Sequence, residues 1–536
     1  MKKYLRALCL VLALVMTLCA CSSNGGDGSS ASTPSSTPSS TPDSTGGEES
    51  RVLTIGLSAD IKNLDPQNHG NALTDSMIMN LSSRLLQRDN DMKLYMDLAT
   101  AYEIVDDDTW KFEIRKDATF WDGTPVTSAD VQYTLMRAAT DESLIEYPYF
   151  KGITDVEIID DYSFYIHTAG AKPDLLSLLA KMGGDILPKD YLEEVGMDAF
   201  QTAPMFSGQY KLKEWVADSH ITLVPNENFY GETNPDWDEV VFRIIPESST
   251  RVGELLTGGV DLIMDVPPNE WDRVDNNTDN YGTKIARGDT TRVMLLACRM
   301  TEGYATADAK VREAIELAID KDMICNDLLQ GSGTPTRTRV GSGVDGFNWD
   351  LFGSENANLY DPEKAKALLA EAGYANGLTI TMDVPRGRYL MDSEMGQMIA
   401  GMLGEVGITV NLNVNDPTVH SNKWSAKENQ ELILMGLGDN MFDAGYPLIH
   451  YGDKERVAGL TDYDSKECQE LYQAAIVNMN LEERAKQFEE IQAIAAEDRS
   501  HINICQLKVN YGVSNRINFN PRLDEFILAR EITLAK

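Results

Sequence analysis

Residues 97–135 read DLATAYEIVDDDTWKFEIRKDATFWDGTPVTSADVQYTL, and three local codes follow one another within them. DTWKFEIRKD (108–117) carries an apolar side chain at every second position, the period of a half-buried strand. Asp106, Asp107 and Asp108 just before it form a solvated turn. WDGTP (121–125) is turn chemistry, with glycine after aspartate and a proline stop. From Thr127 the period changes. TSADVQYTLMRAA (127–139) predicts a helix that Thr127 caps, with Asp130 three residues on as capping-box partner.

The same alternation of codes continues in both directions. RVLTIGLS (51–58) and DYSFYIHT (161–168) read as half-buried strands. AKVREAIELAID (309–320) sets Val311, Ala314, Ile315, Ala318 and Ile319 on one helical stripe. DPEKAKALLAEAGY (361–374) is a helix marked at both ends: Asp361 caps it, Pro362 sits in its first turn, and Gly373 stops it. SEMGQMIAGMLGEVGITVNLNV (393–414) places Met395, Met398, Ile399, Met402 and Leu403 at helical spacing, then becomes an alternating strand. That methionine stripe reads as core filler rather than a ligand groove. Two long helices are expected near 465–479 and 481–497, and a last strand in INICQLKVNYGV (502–513). Helix and strand in repeated alternation predict an α/β chain. No internal repeat is present.

The first fifty residues follow other rules. Lys2, Lys3 and Arg6 precede the apolar run ALCLVLALVMTL (7–18), which is too short to span a bilayer and has the flanks of a secretory signal. LCAC (18–21) resembles a lipobox, so residues 1–20 are expected to be a lipoprotein signal peptide and Cys21 the lipidated residue. Cys19 is an unusual occupant of that motif. The plainer reading is cleavage after Ala20 with Cys21 a free thiol. Acyl chains at ~0.8 kcal/mol per buried methylene would anchor a globular domain durably. Residues 21–50 contain no large apolar side chain beyond Cys21 and predict a disordered Ser/Thr/Pro/Gly tether. The expected location is extracytoplasmic, lipid-anchored at the outer face of the cytoplasmic membrane or within a periplasm.

Composition removes several function classes. A formal net charge of −37 argues against nucleic acid and against close docking on anionic lipid. Past the tether only Cys298, Cys325, Cys468 and Cys505 remain, far apart and without CxxC spacing, so a zinc site is not expected. Neither HExxH nor G-x-S-x-G occurs, and no two of the six histidines stand at metal-ligand spacing. GSGVDG (341–346) matches a dinucleotide fingerprint by letter, yet FNWDLFGS follows where a helix should begin, so it reads as a loop. No enzyme, metal or cofactor is expected.

Six segments, in order, carry a resemblance: NLDPQ (63–67), the opening stretch, GQYKLKEW with VPNENFYG (208–231), KVREAIELAIDK (310–321), YDPEKAKALLAEAGY (360–374) and GRYLMDSEMGQMIAGMLGEVGITV (387–410). Together they resemble the extracellular solute-binding proteins of peptide and nickel ABC importers, solute-binding family 5. The resemblance implies a type II periplasmic-binding-protein-like α/β fold: two lobes joined by hinge strands, with an extra α+β domain inserted in the first lobe. On that basis lobe one covers 51–95, 210–295 and 505–536, the insert 96–209, and lobe two 296–504. The hinge strands are expected at VMLLACRM (293–300) and INICQLKV (502–509). Ligand would be held non-covalently between the lobes.

The resemblance also implies a site. Peptide-binding members carry a W-x-x-D segment whose aspartate pairs with a terminal ammonium. LILMGLGDNMFDAGYP (432–447) occupies that place, with Asp439 at the aspartate, Asn440 after it, and Gly436 where the tryptophan would stand. The departure implies a roomier or differently walled pocket. Asp443 is the second candidate for the same role, and a turn residue after a strand is the plainer reading of Asp439. Arg386 and Arg388 in VPRGRYL (384–390) offer guanidinium forks for a ligand carboxylate, or for an ion pair of the protein's own. Tyr389 and Trp424 are candidate pocket walls, and Asn63 and Leu64 candidate cleft residues. The expected function is capture of oligopeptides or related amine-bearing solutes for delivery to a permease and its ATPase subunits, by a monomer. The alternatives are a solute sensor on the same fold and a nickel or metallophore binder.

Overall fold

The structure, a computed structural model, describes residues 51–536. The expected signal peptide, Cys21 and the tether therefore lie outside the described residues. Among the described residues no helix is long and apolar enough to cross a membrane.

An eleven-stranded sheet organises the fold. Ten strands form its path, in the order Ile408–Asn415, Leu378–Pro385, Leu432–Leu437, Thr283–Cys298, His501–Ser514, Leu262–Ile263, Val52–Leu57, Glu239–Ile244, His220–Pro225 and Tyr210–Val216; Gly333–Pro335 pairs off that path with His501–Ser514. The two central strands are the longest, at 16 and 14 residues. Each serves two cores. Tyr511 and Val513 pack with Leu53, Ile55, Trp237 and Phe242, whereas Met294, Leu296, Ile502 and Ile504 pack with Ile380, Met382, Ile399 and Leu403. Antiparallel pairing runs from Thr283↔Ser514 to Asp289↔Lys508, breaks, and resumes at Val293↔Gln506. The break at 289–293 falls where the strand pair passes from one core to the other. The first of these two strands begins at Thr283, well ahead of the expected VMLLACRM segment, and the second begins at His501, beside the expected start. TKIARGDTTR (283–292) is polar and half exposed over much of its length, so its periodicity does not announce a strand.

A third core belongs to a separate four-stranded antiparallel sheet, in the order Ala99–Asp106, Thr109–Ile114, Ser163–Thr168, Ile153–Asp160. Trp110, Phe112, Phe164 and Leu135 fill it. Here the opening stretch takes shape: two strands joined across Asp107 and Asp108, a turn with Gly123 at φ 90°, and the helix Ser128–Thr140. The Asp130 carboxylate accepts hydrogen bonds from the Thr127 amide and hydroxyl, both at 2.9 Å. Leu85 and Leu86 pack with this third core, and Leu187, Phe200 and Phe206 with the first.

The remaining local readings fall into place on the second core. The Asp361 carboxylate accepts from the Lys364 amide at 2.9 Å, and Gly373 turns the chain at φ 93°. Met395, Ile399 and Leu403 are fully buried. Residues 341–346 form a loop, and Cys298, Cys325, Cys468 and Cys505 are buried free thiols.

Candidate functional site

The site begins at the break in the central strand pair. Thr290–Arg292 are left out of the ladder, so Thr291 turns toward the loop that follows strand Leu432–Leu437. Its hydroxyl donates to the Asp439 carbonyl at 2.7 Å and accepts from the Asp439 amide at 2.9 Å. The loop folds back on itself from there. The Asp439 carboxylate accepts from the amides of Met441 at 2.8 Å and Asp443 at 3.1 Å. Phe442 adopts φ 55°, a left-handed conformation rare for an aromatic residue, held by this local network. Asp345, from the glycine-containing loop, braces the far side: its carbonyl accepts from the Ala444 amide at 3.1 Å.

These contacts leave Asp439 5 % exposed, and no cation forms an ion pair with it among the described residues. Burial first, and the nearby Asp443 second, push its pKa up to about 7 despite the two amide donors. Asp443 differs. Its carboxylate is engaged by Arg484, with Nη2 at 2.8 Å, and by the Gly445 amide at 2.9 Å. Asp439 is therefore the aspartate of this loop without a contact ion pair, Arg88 acting on it only through space.

A second wall comes from the first and third cores. Arg84 donates to Asp75 at 2.6 Å and to both oxygens of Asp185 at 3.0 Å. Burial raises the Asp75 pKa, and the Arg84 guanidinium opposes that rise. Lys181 pairs with Glu146 and lies 4.0 Å from the Tyr149 ring centroid. Arg88 reaches across. It donates to the Met92 carbonyl at 2.7 Å, Ser177 Oγ at 2.9 Å and the Met441 carbonyl at 3.2 Å, with its guanidinium 4.9 Å from the Phe442 ring centroid.

Between these walls lies a cavity of about 260 Å³, lined by Asp75, Arg84, Arg88, Thr291, Asp439 and Asn440 among others. A cavity of about 450 Å³ adjoins it at Tyr446, and one of about 940 Å³ at Arg292 and Glu525. The crevice is thus a row of three spaces. Tyr446 separates the first two and donates or accepts at 2.9 Å with the Tyr149 hydroxyl. The Arg292–Glu525 ion pair, at 3.6 Å, separates the first and third.

The candidates named from the sequence fall into three groups. Asp439 and Asn440 line the first cavity; Asp443 lines the second with its carboxylate already paired. Arg388 and Tyr389 line the third, where Arg388 Nε donates to the Tyr389 hydroxyl at 2.7 Å and Nη1 to Ser421. Arg386, Trp424, Asn63 and Leu64 line none of the three. Arg386 is exposed; Trp424 packs on the cluster of Leu295 and Ile433; Asn63 closes a turn through Asp65 and Asn68; Leu64 is core. At Gly436 a Cβ would stand 2.8 Å from the Tyr389 ring and 2.7 Å from Met294 Sδ. The space of the missing tryptophan is filled by Tyr389. Arg84, Arg88, Lys181 and Thr291 escape sequence reading because each has a partner remote in the chain: Asp185 is 101 residues from Arg84, Met441 353 from Arg88, Glu146 35 from Lys181 and Asp439 148 from Thr291. Only the rarity of two arginines four apart in the apolar-flanked SRLLQR (83–88) hints at them. Among the described residues no cluster of three His, Cys, Asp or Glu side chains is placed to hold a metal ion.

Residues 93–459 match the family model described as bacterial extracellular solute-binding proteins, family 5 Middle. The chain belongs to that family. This family 5 protein is 23 % identical over 399 residues to the glutathione-binding protein GsiB of Salmonella choleraesuis, covering 74 % of this chain and 75 % of the relative. It is 27 % identical over 428 residues to heme-binding protein A of Haemophilus influenzae, covering 74 % and 76 %. Its fold matches the periplasmic binding protein DppA of Helicobacter pylori, solved with the peptide STSA, at a TM-score of 0.72 and 22 % identity over 90 % of this chain and 98 % of that one. The fold is accordingly the two-lobed type II periplasmic-binding-protein architecture. Proteins of family 5 are the transport binding proteins of ABC importers rather than enzymes.

Proposed function

We propose that this family 5 protein captures peptides or related amine-bearing solutes in the crevice and presents them to the permease and ATPase subunits of an ABC importer. One observation carries the reading: a carboxylate at Asp439, enclosed at the crevice wall, oriented by two amides and in ion-pair contact with no cation of the protein's own, Arg88 and Arg339 acting on it only through space. An unpaired buried charge is costly, and a solute ammonium is the partner that removes the cost. Arg388 in the adjoining cavity is placed to hold a carboxylate at the solute's other end, past the Arg292–Glu525 pair. Sequence supplies the anchor, Cys21 behind its lipobox-like segment, with a tether on which the domain works beside the membrane.

The lobe limits belong to this proposal. Core membership favours an insert nearer 85–186 than 96–209, with 187–209 joined to the first lobe. The second lobe is built on the core running from Met294 to Leu507.

Isothermal titration against peptides of two to six residues tests the reading. At least one class should bind, and Asp439→Ala should weaken it by ~2–5 kcal/mol, the range for removing one partner of a buried charge pair. Blocking the solute's amine by acetylation should cost a similar amount. Unchanged affinity in either case removes Asp439 from the site; silence across the whole library removes peptides as the solute class.

A further inference from the structure

A second polar enclosure lies behind the crevice wall, close enough that Asp439 and Tyr446 both act electrostatically on its arginine. In the segment 336–339 two arginines stand two residues apart and meet opposite fates. Arg337 donates to Glu316 at 3.1 Å, to Glu497 at 2.9 Å and to the Ala496 carbonyl at 3.0 Å. Arg339 is equally buried, 7 % exposed, and donates to nothing: its Nε and Nη1 are enclosed without an acceptor. The residues around it share the deficit. His450 Nδ1, His501 Nε2 and Asn503 Oδ1 are likewise enclosed without a partner. The rings converge, with His450 and His501 centroids 6.1 Å apart and Tyr451 5.2 Å from His501.

Charges of both signs act on Arg339, but none of them is hydrogen-bonded to it. Arg456 opposes the Arg339 charge, and Asp439 acts on it only through space, without a hydrogen bond. Burial lowers the Arg339 pKa to about 10 and drives both histidines well below their ordinary value, so the imidazoles are neutral. A guanidinium is rarely left in an interior without a counter-charge, because each unmet donor carries its full desolvation penalty. A cation is repelled here, and a neutral ligand leaves the charge uncompensated. A compact anion meets both needs, accepting from Nε and Nη1 while an imidazole N–H donates from the side.

We infer that Arg339, with His450 and His501, forms a binding site for a small anionic group of the carboxylate or halide kind. The group has two possible sources, a free ion or a carboxylate carried by a captured solute. Asp439 is not one of the site's ligating residues, and the free-ion source does not depend on which solute the crevice takes.

Wild-type crystals soaked in sodium bromide should show an anomalous peak within hydrogen-bond distance of the Arg339 guanidinium. In solution, bromide and formate, titrated at constant ionic strength, should raise Tm saturably. Arg339→Met should weaken that response about tenfold or more, the size of a lost charge-assisted hydrogen bond. A peptide with an acidic side chain that displaces the bromide identifies the solute as the source; one that binds with bromide in place identifies a free ion. No anomalous density at Arg339, together with a Tm indifferent to both anions, overturns the site whether or not Arg339→Met folds.

Discussion

At the scale of single residues, Asp439 links protonation to both stability and binding. Its pKa is about 7 in the folded chain against an ordinary 3.8. Between those values the unfolded chain has released a proton that the folded chain retains. The contribution of this group to stability therefore falls as pH rises through that window and is level above it. Denaturant midpoints measured from pH 4 to pH 8 should decline less steeply in Asp439→Asn than in the parent; equal slopes would mean that Asp439 does not titrate there. A solute ammonium needs the ionised carboxylate, so affinity should drop as pH falls below about 7. That drop should vanish in Asp439→Asn. The resemblance puts Asp439 first and Asp443 second for one role, and the sequence offers no physical ground for that order. Both are aspartates in one loop, and only the distant Arg484 distinguishes them.

At the scale of elements, the break between Asp289 and Val293 gives the loop its shape. Two extra residues in one strand free the Thr291 hydroxyl to satisfy both polar groups of the Asp439 peptide unit. Thr291→Val keeps the volume and removes the hydroxyl, leaving a buried amide and carbonyl unmatched. Unfolding free energy should fall by ~1–3 kcal/mol, and solute affinity should fall with it because the carboxylate loses its fixed position. Lost affinity with unchanged stability would show that Thr291 touches solute instead. The helices and outer strands around this point were readable from period and caps: Thr127 with Asp130, and Asp361 with Gly373, are local codes complete within a few residues. The break was not. TKIARGDTTR pairs with a segment more than two hundred residues away, and a polar strand in the middle of a sheet has no signature of its own.

At the scale of the whole described chain, the loop that carries Asp439 also fastens the crevice. Met441, two residues on, is 5 % exposed and packs into the core of the inserted domain, across the gap from the strand that bears it. Arg88 holds the Met441 carbonyl from the same side, and the Tyr149–Tyr446 hydroxyl pair adds a second contact across the gap. The loop that carries Asp439 is thus wedged into the core of the four-stranded sheet, and any parting of the two must withdraw the Met441 side chain. Met441 belongs to the core of the four-stranded sheet and not to the cores built on its own strand, so truncating it should act on the closed arrangement. A fully enclosed methionine contributes ~2–5 kcal/mol by the large-to-small series, enough to shift an open–closed balance that solute capture must tip. Met441→Ala should therefore enlarge the radius of gyration of the solute-free protein in X-ray scattering and weaken solute binding, with Tm nearly unchanged. A lowered Tm at constant radius would assign Met441 to an ordinary core, and the loop would then be a fixed wall instead of the moving part.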